Sequence, residues 1–483
     1  MDKKFAQNFL KGTVASTIGT SSSMLFHFIS VIILIRQISQ NDFGIYILIL
    51  VIINLFNILG SLGLDITLVK FISSDKESER KSVVLPILIL KAGTLLGLCI
   101  LFYLLSSYLL PLLDERIAGF TIYIPILFFF AGFRDLFYKL LQGLSLFRKY
   151  SIIQILTAVL RLLLIFGLYI YNILTLEMLL LLEVAVAVIT ITFQIYSIPF
   201  KEILSPNITK ESYKKVLKFG FPLYINNIFT FMFDRVNLFI IGAILTPVSV
   251  ALYDVAAKVP DALKKMFDSF IIVYFPNISN LFSQGKKDNA ETLMNKSLLL
   301  FSSGITIMVL ISFLFKDEIV LLLFSEKYID SAMAFFLLML NFSFRAFANI
   351  LGYSIVSAGY SKVPMKVNLV SSIISIGGSL LMIPQFGFIG AVYALLLMNS
   401  VAHFAYIIYL KKAKISADFV KYIMPILYLA ILVTFYLLLG FNSIIVKITM
   451  IITFILLNWF TLKELRTSVI SVIKFISGFK TQS

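Results

Sequence analysis

Three observations predict an all-α polytopic membrane protein with about fourteen transmembrane helices. Hydrophobic residues make up 60% of the 483 and charged residues only 14%; with a mean hydropathy of +0.98, such a chain has too little polar surface to face water. Apolar stretches near the ~20 residues needed to cross a bilayer follow one another almost end to end. Lys and Arg concentrate in alternate links, the asymmetry that orients polytopic proteins.

The first stretch, 13–36, follows Lys3, Lys4 and Lys11 and has no small-residue cleavage site, which predicts an uncleaved helix. Stretch 43–64 leads into Lys70, Lys76, Arg80 and Lys81. Stretches 82–106 and 118–141 are joined by Asp114, Glu115 and Arg116, a nearly neutral link, and Arg148 and Lys149 precede 151–171. Stretch 173–197 runs into Lys201, Lys210, Lys214, Lys215 and Lys218 before 217–242. Stretch 250–275 is the least apolar, but removing it would place Lys286, Lys287 and every later basic link on the wrong side. The series closes with 294–316, 330–356, 363–384, 388–410, 418–439 and 443–463, and with Lys463, Arg466, Lys474 and Lys480 beyond the last. Basic links at both ends and an even number of crossings predict that both termini are cytoplasmic.

A shift of 207 residues lays Ile38, Phe43, Gly44, Ile45 and Tyr46 on Leu245, Val250, Ala251, Leu252 and Tyr253. A second echo sets Arg148 and Gln154 against Lys362 and Asn368. A repeat of six crossings returns the chain to the same side, so the predicted halves are parallel. The expected organisation is a six-helix lobe over 1–200, a cytoplasmic connector over 201–216, a second six-helix lobe over 217–412, and two further helices with a tail over 413–483.

Charged side chains at bilayer depth cost several kcal/mol unless they face a bundle interior or water. Counting ~1.5 Å per residue puts Lys91 and Arg161 ~14 and ~16 Å from the cytoplasmic ends of their helices. Arg134, Arg345 and the pair Asp234 and Arg235 are also well inside. Asp254, Lys258, Asp261, Lys265 and Asp268 recur at spacings of four, three, four and three, one face of one helix. The excess of cations predicts an internal cationic cavity for an anionic ligand, with Arg161, Arg345, Arg134, Lys91 and Lys258 binding it and Arg235 and Lys265 along the path. Against that stands local neutralisation, as in Asp254 with Lys258 and Asp261 with Lys265. Asp234, Asp254, His27 and Glu183 are candidates for ion or proton coupling, with Glu177 a further acid.

Other chemistries lack their residues. The chain has two histidines, His27 and His403, and one cysteine, Cys99; no metal site, no cofactor and no disulfide is expected. There is no Walker-type lysine loop and no HExxH. The net charge of +16 is spread over alternate links, which does not predict nucleic-acid binding. No outer link is long enough to form a domain, which argues against an enzyme.

The run Arg36-Gln37-Ile38-Ser39-Gln40-Asn41-Asp42-Phe43-Gly44-Ile45-Tyr46 resembles the turn between the first two helices of bacterial polysaccharide biosynthesis flippases of the Wzx type. Gly63-Leu64-Asp65-Ile66-Thr67-Leu68-Val69-Lys70-Phe71-Ile72 is similar to a second element of that family, with Lys70 where Arg is usual. Gln142-Gly143-Leu144, Phe219-Gly220-Phe221-Pro222, Ala251-Leu252-Tyr253 and the run from Ile383 to Ala391 resemble its patterns at corresponding places. The resemblance implies the fold of the multidrug/oligosaccharidyl-lipid/polysaccharide exporters: two six-helix lobes and two trailing helices in a bacterial cell membrane. It implies a polyprenyl-diphosphate-linked oligosaccharide as substrate, turned from the cytoplasmic to the outer leaflet by alternating access. It also brings membrane lipids, a polysaccharide polymerase and chain-length machinery as partners. Within the superfamily, a peptidoglycan-precursor flippase and a cation-coupled drug exporter are the alternatives; outside it stands a membrane polymerase or ligase, which would need a long outer loop.

Overall fold

The computed structural model describes residues 3–73, 77–111, 113–205, 209–360, 362–440 and 443–467. Lys76, Lys474 and Lys480 of the expected basic links lie outside them. Every regular element among the described residues is helical. In order these are α1 (Lys3–Gln37), α2 (Gln40–Leu59), α3 (Leu64–Ile72), α4 (Glu77–Leu109), α5 (Tyr123–Gly143), α6 (Phe147–Ile170), α7 (Leu176–Ser197), α8 (Phe200–Ile203) and α9 (Lys210–Ile244). There follow α10 (Pro247–Ser283), α11 (Lys287–Leu314), α12 (Lys316–Leu323), α13 (Ala332–Ser357), α14 (Lys362–Phe386), α15 (Phe388–Lys412), α16 (Phe419–Leu439) and α17 (Ile444–Thr461).

Eleven helices among the described residues are long and apolar enough to cross a membrane. Three more match them in length but carry charge: α5, α9 and α10, of 21, 35 and 37 residues. The chain is thus a multi-pass membrane protein. In lipid the backbone must satisfy itself, which favours continuous helices even through Pro86, Pro222, Pro260 and Pro276.

Short polar signals set the ends. Ser39 caps α2, its hydroxyl accepting from the Asp42 amide at 3.0 Å while donating to the Asp42 carboxylate at 2.8 Å. Thr175 and Thr209 cap α7 and α9 in the same way. The second stretch was expected to run to residue 64; instead α2 stops at Leu59, and α3 begins after Gly63, whose φ is +71°. A side chain at Gly63 would be strained by that backbone and would also meet the Gly220 carbonyl of α9, 2.0 Å from an added Cβ. Lys70 and Lys215 then sit over aromatic rings, Lys70 Nζ 3.7 Å from the Phe219 centroid and Lys215 Nζ 4.7 Å from that of Phe71.

The chain divides into two compact units, Met1–Ala251 and Leu252–Ser483. In the first, Leu68, Val84, Ile87, Leu136, Leu140 and Ile153 form a closed core of α3, α4, α5 and α6. Phe56, Phe102 and Phe128 join α2, α4 and α5 with centroids 5.1–6.2 Å apart. In the second, Phe267, Phe270, Phe301 and Phe342 bind α10, α11 and α13. The two trailing helices belong to this unit: Ser302 of α11 donates to the Tyr422 carbonyl of α16, and Lys447 of α17 pairs with Glu318 of α12 at 2.5 Å.

Candidate functional site

In the first unit the site is organised by α6. Tyr150, Gln154, Thr157 and Arg161 follow at spacings of four, three and four, which places them on one helical face. Arg161 is buried, 6% exposed. Its Nε and Nη2 both reach Oε1 of Glu183 on α7, at 2.8 and 2.7 Å. Nη2 also donates to the Tyr46 hydroxyl of α2 at 3.2 Å, and that hydroxyl donates to the same Glu183 oxygen at 2.8 Å. One carboxylate oxygen therefore accepts two hydrogen bonds and pairs with Nη2, and three helices are held at one point. The remaining Nη1 is buried without a hydrogen-bond partner. Charge-assisted bonds in a low-dielectric interior are strong, and breaking such a pair by removing one member costs about 3–5 kcal/mol.

Toward the α6 N-terminus the face becomes neutral and more open. Gln154 Nε2 donates to the Tyr150 hydroxyl at 3.2 Å, and the Thr20 hydroxyl of α1 donates to Gln154 Oε1 at 3.3 Å. The Tyr150 ring meets Tyr138 of α5 edge-on at 5.2 Å, and the Tyr138 hydroxyl lies 3.5 Å from that of Thr157. Beside them on α5, Arg134 pairs with Asp135 at 3.0 Å; these side chains are 35% and 51% exposed. Lys139 donates to Gln142 at 3.2 Å. Deeper in the unit, the buried Lys91 ammonium of α4 lies 3.6 Å from Asp65 of α3.

In the second unit the five charges of α10 do form the single predicted face, and their exposure rises along it. Asp254 is buried and pairs with Lys258 at 2.6 Å. Asp261 is half-buried, and Lys265 and Asp268 are exposed.

Four of the candidate cations have a carboxylate partner. Arg161, Arg134, Lys91 and Lys258 each sit against a carboxylate, because the low-dielectric interior that strengthens a cation's grip on a ligand also draws in the protein's own acids. Two of the four coupling candidates, Glu183 and Asp254, are those partners. Arg235 is half-buried on α9, and Lys265 is exposed on α10. Arg345, half-buried on α13, and His27, exposed on α1, are each engaged within the fold. Asp234 falls within α9, with its side chain outside those described. Among those that are described, no three His, Cys, Asp or Glu side chains converge as a metal site.

Sequence reasoning missed Tyr46, Asp65, Asp135, Lys447 and Glu318. Asp135 was signalled by its adjacency to Arg134, and Gln154 by its helical spacing to Arg161. No local pattern pointed Tyr46 at Arg161, 115 residues away. In the link between α4 and α5, Arg116 donates to Asp114 and also to Asn41 at 2.7 Å. The guanidinium holds the Asp114 carboxyl below its ordinary range.

Comparison with known proteins gives three findings. Residues 9–282 match the family model described as "Polysaccharide biosynthesis protein". No curated protein sequence matches the chain. Among solved structures, the lipid II flippase MurJ in an inward closed conformation aligns with a TM-score of 0.73 at 15% identity, covering 92% of this chain and 99% of that one. A multidrug resistance MATE transporter in an inward-facing conformation aligns at 0.67 and 14% identity over 83% and 99%. A Vibrio cholerae MATE transporter aligns at 0.58 and 13% over 87% and 99%. At these identities the likeness establishes the fold.

Proposed function

The chain belongs to the polysaccharide biosynthesis protein family, and from that membership we propose that it is a flippase for polyprenyl-diphosphate-linked oligosaccharides. In this reading it moves them from the cytoplasmic to the outer leaflet of a bacterial cell membrane, with both termini cytoplasmic and fourteen crossings. Eleven apolar helices supply the membrane body, and α5, α9 and α10 supply the polar surface that a hydrated head group needs. The observation that carries the proposal is the Arg134–Asp135 pair, 35% and 51% exposed midway along α5. Hydrocarbon rejects an exposed ion pair at that depth, so this face borders water or a polar ligand.

The diphosphate meets the lysines of the α10 face, the exposed Lys265 and the partly exposed Lys258, which would exchange its Asp254 partner for the ligand. The polyprenyl tail stays in lipid. Rocking of two lobes, 1–200 and 217–412, changes which side of the membrane reaches the head group. A polymerase and chain-length machinery act on the delivered repeat units. Arg161 and Lys91 serve as internal struts, whereas Lys258 and Lys265 contact substrate.

The test is transfer of a fluorescent polyprenyl-diphosphate sugar between leaflets of proteoliposomes holding the whole chain. Transfer by wild type with strong loss in Lys265→Ala and Lys258→Ala is expected; no transfer above protein-free vesicles overturns the reading. A second reading, the peptidoglycan-precursor flippase, is favoured by the TM-score of 0.73 to a lipid II flippase. Growth of a strain depleted of that activity, restored by this chain, would select it.

A further inference from the structure

The half-open face of α5 and α6 has a chemistry of its own. Thr20, Gln154, Tyr150 and Tyr138 form one chain of side-chain contacts, from the Thr20 hydroxyl to the Gln154 amide at 3.3 Å, to the Tyr150 hydroxyl at 3.2 Å, and on to the Tyr138 ring at 5.2 Å. None of these groups is charged. Beside them stands Arg134–Asp135, whose charges cancel and whose carboxylate is the more exposed member, at 51%. Arg161, about two turns past Gln154 on α6, is by contrast closed upon Glu183 of α7 and Tyr46 of α2.

A diphosphate is a poor occupant for such a place. It needs uncompensated cations, and here an exposed carboxylate would repel it. The groups on offer are an amide with donor and acceptor edges, two phenols, a hydroxyl, a carboxylate and a guanidinium. Together they match a ligand dense in hydroxyl groups that both donate and accept, with C–H faces that lie against aromatic rings. That ligand class is the pyranose ring.

We propose that Gln154, Tyr150, Asp135 and Arg134 form a sugar-binding subsite in the first unit, which holds the glycan by its hydroxyls and takes no part in gripping the diphosphate. The subsite rests on the flippase reading and adds the part of the substrate read here. It assigns glycan discrimination to α5 and α6, since a site that hydrogen-bonds a hydroxyl penalises a ligand lacking it.

The experiment uses the full chain in lipid nanodiscs and two probes, undecaprenyl diphosphate and undecaprenyl diphosphate bearing one N-acetylglucosamine, with binding read by native mass spectrometry. Wild type should hold the glycosylated probe about tenfold tighter than the bare one, the change expected for one or two net hydrogen bonds. Gln154→Leu should remove most of that difference and leave affinity for the bare probe within about twofold, whereas Asp135→Asn, which strips Arg134 of its counter-ion, should narrow the difference by tightening the bare probe as well. Thr20→Val, which removes only the hydroxyl held against Gln154, should give a smaller loss in the same direction and guards against misfolding of the other two. Equal affinity of wild type for both probes overturns the sugar subsite while leaving the flippase reading intact. So does a parallel fall for both probes in monodisperse Gln154→Leu protein, which would make the face a phosphate site, and so does no change in either. Failure of wild type to bind both probes counts against the flippase reading itself.

Discussion

Arg161 in the first unit and Lys258 in the second are both deep cations paired with a carboxylate, yet their pairs do different work. Arg161 takes Glu183 from another helix and Tyr46 from a third, so its bonds fix the mutual placement of α2, α6 and α7. Lys258 takes Asp254 one turn back on α10, a pair made within a single helix. The first arrangement is a clamp. The second lies on a helix face of three acids and two lysines whose exposure rises toward Lys265 and Asp268. Burial and charge alone do not separate the two; the sequence distance to the partner does.

The largest expected effect breaks the clamp. Arg161→Ala leaves the Glu183 carboxylate buried without its counter-ion and should destabilise the protein by about 3–5 kcal/mol, seen as loss of membrane abundance and a lower melting temperature in detergent. Glu183→Ala should do the same. Replacing both by apolar residues, Arg161→Met with Glu183→Leu, should recover most of the abundance, because no unpaired charge remains. If the double variant is also restored in sugar-lipid transfer, Arg161 is structural; restored abundance without transfer would give it a direct role in substrate binding.

The next effect tests whether a clamp in the second unit behaves alike. Lys447 on α17 is 5% exposed and pairs with Glu318 on α12, which is 52% exposed. Glu318→Ala should cost about 1.5–3 kcal/mol, less than at Arg161, because only one partner is buried and water reaches the other. Thermal melting of purified protein would read this. Asp254→Asn on α10, made in parallel, should move the melting temperature less than either clamp variant, since an i,i+4 pair contributes about 0.2–0.5 kcal/mol on an isolated helix. An Asp254 effect as large as that of Arg161 would erase the distinction between the two kinds of pair.

How much of this was legible in the sequence follows the same line. The expected stretch 151–171 became α6 (Phe147–Ile170) and 388–410 became α15 (Phe388–Lys412), because apolar length and basic links are local signals. The α10 charges share one helix for the same reason: spacings of three and four put side chains on one face before any tertiary contact exists. Three helices exceeded the hydropathy signal alone, and the charges that make α5, α9 and α10 less apolar are those that single them out. What the sequence hid was pairing between helices. Lys91 reads as an isolated deep cation until α3, expected as part of a loop, brings Asp65 within 3.6 Å. Likewise, the glycine of the Phe43-Gly44 motif had no visible reason. In the fold the Pro247 carbonyl passes where its Cβ would stand, 1.8 Å away.

The smallest effect concerns the link between α4 and α5, where the clamp logic is played out in water. Asp114 accepts from Arg116, which also holds Asn41 at the start of α2. Hydrogen bonding to that guanidinium lowers the Asp114 pKa in the folded protein relative to the unfolded chain. A depressed folded value means that the unfolded chain binds the proton more readily. The contribution to stability is therefore fully present above the unfolded carboxylate pKa, about 3.9, and is lost as pH falls through the folded value. Melting temperature measured from pH 6 down to pH 3 should fall slightly more for wild type than for Asp114→Asn, which has no proton to take up. The difference should shrink in high salt, because this pair, unlike that of Arg161, is open to screening. A salt-insensitive difference would place Asp114 among the buried clamps and contradict the exposure of Arg116, 47%.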